Sequence, residues 1–128
     1  MAPITLLKLG LETVVKILMV DDEDDLLEVL GASFEGMGLE FESASNGSEA
    51  IEKFGKFKPD VVLTDYNMPH MNGLELTKKL KGMQDDVKVF LYTGNDCIDD
   101  EDRGLFHKIF SKPLLSIDVI NSIKDLVE

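Results

Sequence analysis

Apolar residues along this chain fall into two alternating kinds of stretch. Short apolar, strand-like runs lie at 15–20, 39–44, 61–64, 87–92 and 108–111, and the first, third and fourth are nearly continuous in Val, Ile, Leu, Met and Phe. Runs of that kind predict strands buried on both faces. Between them, apolar positions recur at helical spacing: Leu26, Leu27, Val29, Leu30 and Phe34; Ala50, Ile51 and Phe54; Leu74, Leu76 and Leu80. A last set, Leu115, Ile117, Val119, Ile120, Ile123 and Leu126, follows the fifth run. Such spacing gathers one apolar face on each helix. The punctuation agrees: Gly36 and Gly38 follow the first helical stretch, Ser45 and Asn46 precede the second, Asn72 opens the third and Gly82 closes it. The predicted order is βα repeated five times, with right-handed crossovers onto one parallel sheet. One connection departs from this pattern. Gly94–Asp102 is polar and acidic, leaving only a short helix over 100–106 and an expectation of mobility there.

Length and composition narrow the picture. The 128 residues, 44% hydrophobic, suffice for one domain with a real core and leave no room for a second. A formal charge of −12 opposes direct binding to nucleic acid or to an anionic membrane, both of which need Lys and Arg to neutralise phosphates. Cys97 is the only cysteine, so an intrachain disulfide and a cysteine zinc site are excluded and a reducing, cytoplasmic setting is expected. Residues 1–14 are too short to span a membrane and lack the basic start and cleavage site of a signal peptide. They read as a short amphipathic extension or a cloning remnant, with the domain proper over 15–128. No DNA-binding or catalytic output domain is expected after the fifth helical stretch, and a stand-alone protein and a piece of a larger one both stay open.

Candidate chemistry concentrates at the strand ends. The run 61–64 leads into Asp65 and then Tyr66-Asn67-Met68-Pro69, and the run 15–20 leads into Asp21-Asp22. If these are neighbouring parallel strands, three carboxylates surround one crevice at the carboxyl edge of the sheet, where open α/β folds bind ligands. Two carboxylates about 4 Å apart repel by roughly 4 kcal/mol at an effective dielectric of about 20. Such a cluster therefore invites a hard divalent cation held by oxygen. Thr93, after Val89-Phe90-Leu91-Tyr92, and Lys112, after Ile109-Phe110-Ser111, would project into the same crevice. A carboxylate nucleophile beside a cation, a hydroxyl donor and an ammonium suits phosphoryl transfer onto aspartate.

With VDDE at 20–23, DVVLTDYNMPHMNGLEL at 60–76, LYTG at 91–94 and SKP at 111–113, the chain resembles the receiver domain of two-component response regulators over 15–128. The resemblance implies a flavodoxin-like (βα)5 sheet of strand order 2-1-3-4-5. It also implies Asp65 as phosphoacceptor, Asp22 as direct ligand of Mg2+ or Mn2+, Asp21 acting mainly through water, and the Asn67 carbonyl completing the protein ligands. Thr93 matches the switch hydroxyl, Lys112 the phosphoryl-pairing lysine, and Pro113 implies a cis Lys112–Pro113 bond. The implied partners are a sensor histidine kinase or histidine phosphotransfer protein and a downstream protein target; a homodimer is admitted. The chain departs from the family at Ile109, where a Tyr or Phe is usual, and in the short acidic stretch after Thr93, which alters the usual dimerisation face.

Plainer readings account for the other polar residues. Asp24 and Asp25 suit the first turn of a helix, near its positive end. Calcium is not expected, because neither acidic stretch has the glycine that an EF-hand loop requires. His70 and His107 read as exposed loop or helix-end residues, Glu23 as solvated, and Cys97 as a thiol kept unreactive by acidic neighbours. The leading function is a phosphorylated signalling switch. A haloacid-dehalogenase-type phosphatase is the enzymatic alternative, opposed by Asn67 where its acid would stand, and a non-phosphorylated interaction domain is the third.

Overall fold

A computed structural model describes residues 5–6, 13–94 and 98–127. Five strands form one sheet: β1 (Lys16–Val20), β2 (Glu40–Ala44), β3 (Val61–Asp65), β4 (Lys88–Thr93) and β5 (Lys108–Ser111). All neighbours are parallel, in the order β2-β1-β3-β4-β5. This is the predicted 2-1-3-4-5 arrangement, a flavodoxin-like α/β fold. Five helices alternate with the strands: α1 (Asp24–Gly36), α2 (Gly47–Phe57), α3 (Gly73–Met83), α4 (Asp100–Arg103) and α5 (Ser116–Val127). Ahead of the sheet, Thr5–Leu6 pairs antiparallel with Thr13–Val14, which nothing in the hydrophobic pattern predicts.

The three central strands read as unbroken apolar runs because both of their faces are covered. On one face Ile17, Met19, Leu63, Phe90, Tyr92 and Phe110 pack with α1 and α5 through Leu30, Phe34, Val119 and Ile123. On the other, Leu18, Val20, Val62, Val89 and Leu91 pack with α2 and α3 through Ala50, Phe54, Leu76 and Leu80. Each fully buried side chain of this size contributes about 1.5–3 kcal/mol. The edge strand β2 is only half-buried along most of its length, and the phenyl ring of its Phe41 packs so closely on α1 that a Cβ at Gly31 would lie 2.5 Å from it.

Helix starts follow the predicted signals. The Asn46 side chain accepts from Glu49 N–H at 2.8 Å, and Asn72 forms a capping box with Glu75. At the C-terminus of α3 the expectation fails: Gly82 lies inside the last turn, and the helix runs on to Met83. A glycine with helical φ costs only about 1 kcal/mol relative to alanine, too little to end a helix whose next turn still forms. The fourth helix is shorter than the predicted 100–106, with four residues and none buried. Its flanks are anchored, since Ile98 and Phe106 are both buried against the α2–α3 side of the sheet. Cys97 lies outside the described residues, as does Asn95–Asp96 of the acidic stretch.

Candidate functional site

Parallel strands all end on the same edge, and this sequence puts its acidic residues there. Asp21 follows β1 directly and is still tied to the sheet by its N–H to the Ala44 carbonyl, 3.1 Å away. Asp65 is the last residue of β3, one residue further than the apolar run predicts, and is paired in register with Tyr92 of β4. Asp21 and Asp65 are buried, whereas Asp22 is exposed at the rim. One carboxylate oxygen from each of the three lies within 4.8 Å of the others. Three hard oxygen donors converging at one open edge fit a hard divalent cation, and they match Mg2+ better than a softer metal.

The surrounding polar groups are few and specific. Lys112 Nζ lies 3.0 Å from Asp65 Oδ1, and the Asn67 N–H donates to the same oxygen at 3.4 Å. Asn67 is exposed beside the site. Thr93, nearly buried, ends β4, and its carbonyl accepts the Lys112 N–H at 3.0 Å, which joins the ends of β4 and β5. The Lys112–Pro113 peptide is cis, as the resemblance implies. From Asp65 the chain leaves through Tyr66 and returns at Gly73, whose N–H donates to the Tyr66 carbonyl at 2.8 Å. A Cβ at Gly73 would stand 2.3 Å from the Asp65 carbonyl oxygen, so only glycine lets α3 begin this close beneath the site.

The electrostatics follow from this crowding. Burial raises the Asp65 pKa and the Asp21 charge raises it further, while the hydrogen bond and charge of Lys112 and the Asn67 N–H oppose the shift. For Lys112, burial works against the ammonium, but the hydrogen bond and charge of Asp65, with Asp21 and Glu23 behind it, outweigh burial and raise its pKa. Both pKa values rise, but with opposite effect on charge: the rise favours the neutral form of Asp65, which is buried and faces a like charge, and the charged form of Lys112, which faces only carboxylates.

One residue of the site lies within the LYTG motif at 91–94, but the motif gives it no role. The Tyr92 hydroxyl donates to Asp21 Oδ2, and its ring centroid lies 5.7 Å from Lys112 Nζ. The available signal was that a tyrosine inside a buried strand needs a polar partner for its hydroxyl, and the acidic strand end is the nearest source. Ile109 and Phe110 sit on opposite faces, as strand alternation requires: Ile109 packs with the α2–α3 side, Phe110 edge-on to Phe90 at 5.8 Å. His70 and His107 are exposed and separate from the carboxylates; His107 lies just before β5 with its ring 5.9 Å from that of Phe90. Beside the site an open groove of about 430 Å³ is lined by Glu23, Leu26, Tyr92, Lys112, Pro113 and Leu114.

Known proteins are similar to this chain in sequence and in fold. A family model described as the response regulator receiver domain matches residues 17–123. The chain is 29% identical over 115 residues to the transcriptional regulatory protein PrrA of Mycobacterium leprae, covering 88% of this chain and 49% of that protein. It is 34% identical over 91 residues to the response regulator MprA of Mycobacterium tuberculosis, covering 71% and 40% respectively. The chain thus spans half or less of the length of these relatives. Among solved structures, a response regulator receiver domain protein from Clostridium thermocellum superposes with a TM-score of 0.82 at 26% identity, covering 89% of this chain and 94% of that one. The response regulator TrrA of Thermotoga maritima, in complex with Mg(2+)-BeF, superposes with a TM-score of 0.77 at 28% identity, covering 88% and 99%. With the family's model matched from the first strand of the sheet into the fifth helix, the chain belongs to the response regulator receiver domains.

Proposed function

We propose that this receiver domain, over residues 15–128, accepts a phosphoryl group on Asp65 from a sensor histidine kinase or a histidine phosphotransfer protein in the cytoplasm, and so acts as a switch for a downstream protein. The observation that carries this reading is the buried Asp65 carboxylate, held 3.0 Å from Lys112 Nζ and clustered with Asp21 and Asp22. A bound Mg2+ or Mn2+ supplies charge neutralisation for the incoming phosphoryl oxygens. Asp22, Asp65 and the Asn67 carbonyl would hold it, with Asp21 acting through water. The Asp65 oxygen forms the new bond to phosphorus as the bond from phosphorus to the donor histidine nitrogen breaks. Lys112 pairs with the transferred group, and the Thr93 hydroxyl donates to it. That the Thermotoga maritima response regulator similar to this chain was solved in complex with Mg(2+)-BeF supports a divalent cation as part of this reading.

Acetyl phosphate with Mg2+ is expected to add one phosphoryl group, located on Asp65 by mass spectrometry, and Asp65→Asn is expected to abolish it. A phosphoryl group found on Ser or Thr, or multiple-turnover hydrolysis of a generic phosphoester, would overturn the proposal.

A further inference from the structure

We propose that Tyr92 is a positioning residue for the acidic site, holding Asp21 through its hydroxyl; this rests on the reading of Asp21, Asp22 and Asp65 as the Mg2+ site. Asp21 is fully buried, and a buried carboxylate needs hydrogen-bond donors for its oxygens. Two donors serve it. Its Oδ1 accepts the Glu23 N–H at 2.8 Å, a contact fixed by the local chain, and its Oδ2 accepts the Tyr92 hydroxyl. Tyr92 does this from two strands away: it stands on β4, Asp21 follows β1, and β3 lies between. Two strand spacings are about 10 Å, a span that calls for a long, stiff side chain with a polar tip. The ring is wholly buried with Phe90 and Phe110, so the hydroxyl is delivered from a rigid platform.

The arrangement sets the direction of the effect. With both oxygens engaged, Asp21 has one orientation, which keeps its charge beside Asp65 and would offer a fixed acceptor to the hydration shell of a bound cation. Without the hydroxyl, the buried Oδ2 loses its donor, and the carboxylate turns or draws in a water to replace it. Groups that orient metal-binding carboxylates in this way typically change affinity by about 10–100-fold when removed. Lys112 Nζ, 5.7 Å from the ring centroid, places the same side chain against the second functional group of the site.

The test is Mg2+ titration calorimetry on the full chain, comparing the parent with Tyr92→Phe, which keeps the ring and removes only the hydroxyl. The expected result is roughly 10-fold weaker Mg2+ binding, in addition to the modest loss of thermal stability in Mg2+-free buffer that follows from taking a donor from a buried carboxylate. Unchanged Mg2+ affinity, or a loss confined to thermal stability, overturns the inference while leaving the metal site intact; a parent that binds no Mg2+ overturns both. The chain has two tyrosines and no tryptophan, so in Tyr66→Phe all tyrosine emission comes from Tyr92. That emission, quenched by donation to a carboxylate, is expected to rise with Mg2+ at the calorimetric midpoint. If Tyr92→Phe does not fold, this signal decides, and emission unmoved by bound Mg2+ overturns the proposal.

Discussion

Asp65 pays for its position with stability. Burial and the neighbouring Asp21 raise its pKa in the folded state, so the fold binds that proton more tightly than the unfolded chain does. Its contribution to stability is therefore greatest below the ordinary carboxylate pKa and is lost as pH rises through the raised folded value. At neutral pH the ionised group is a net cost. Asp65→Asn is expected to raise the midpoint of urea unfolding at pH 7, with the gain shrinking as pH falls into the carboxylate range; a loss of stability at pH 7 would contradict the assignment of burial as the larger effect. Lys112 does not reverse this, because its side chain is 35% exposed and can return to solvent when its partner is neutralised. The raised Lys112 pKa has its own window, near and above pH 10, where deprotonation removes the pair. Sequence exposes Asp65, Asp21, Asp22 and Lys112 readily, since charged residues at the ends of apolar runs are conspicuous. It hides the role of Tyr92, whose hydroxyl is one polar atom in a mostly apolar strand and whose partner lies 71 positions away.

Elements were legible where one local signal dominated. The three inner strands are continuous apolar runs because both faces are covered, and the starts of α2 and α3 carry Asn46 and Asn72, whose side chains cap them. Signals that compete with tertiary packing were less reliable, as with Gly82, which sits in an intact last turn of α3. The fourth helix shows the opposite limit. Its four residues are all charged and none is buried, so it rests on local hydrogen bonds and the 3.7 Å pair from Lys78 to Asp102. A single exposed turn is near the nucleation limit and contributes little stability of its own. It lies between the anchors Ile98 and Phe106, downstream of Thr93, on the strand whose neighbour β5 carries Ile109 instead of an aromatic ring. With no ring at that position, ordering of this turn is the response expected if Asp65 carries a phosphoryl group as proposed. Beryllofluoride with Mg2+ is expected to slow amide exchange at Gly94 and over 98–103 while leaving α3 unchanged; equal exchange in both forms would exclude this route.

Charge is the property that belongs to the whole molecule. A net −12 gathered into so small a fold sets up self-repulsion that any salt relieves by screening. Among the described residues no helix is long and apolar enough to cross a membrane, and the acidic surface favours partners with basic patches. The charge is also uneven: Asp21, Asp22 and Asp65 meet at one edge, with Glu23, Asp24 and Asp25 immediately beyond them at the start of α1. Lys112 is the one cation bonded into that cluster among the described residues. General screening and site binding can therefore be separated by comparing MgCl2 with NaCl at equal ionic strength. Screening acts on all surface charges and makes the two salts equivalent. Binding to the folded state alone adds RT ln(1 + [Mg2+]/Kd), about 2.7 kcal/mol when Mg2+ is at 100 times Kd. The parent is expected to unfold at higher temperature in MgCl2 than in matched NaCl, and Asp22→Ala to lose that difference while keeping its response to NaCl. Because Asp22 is exposed and takes no part in the core, the variant keeps the fold. If Asp22→Ala retained the full extra stabilisation, the cation would be acting on the acidic surface at large and not at the edge where the strands end.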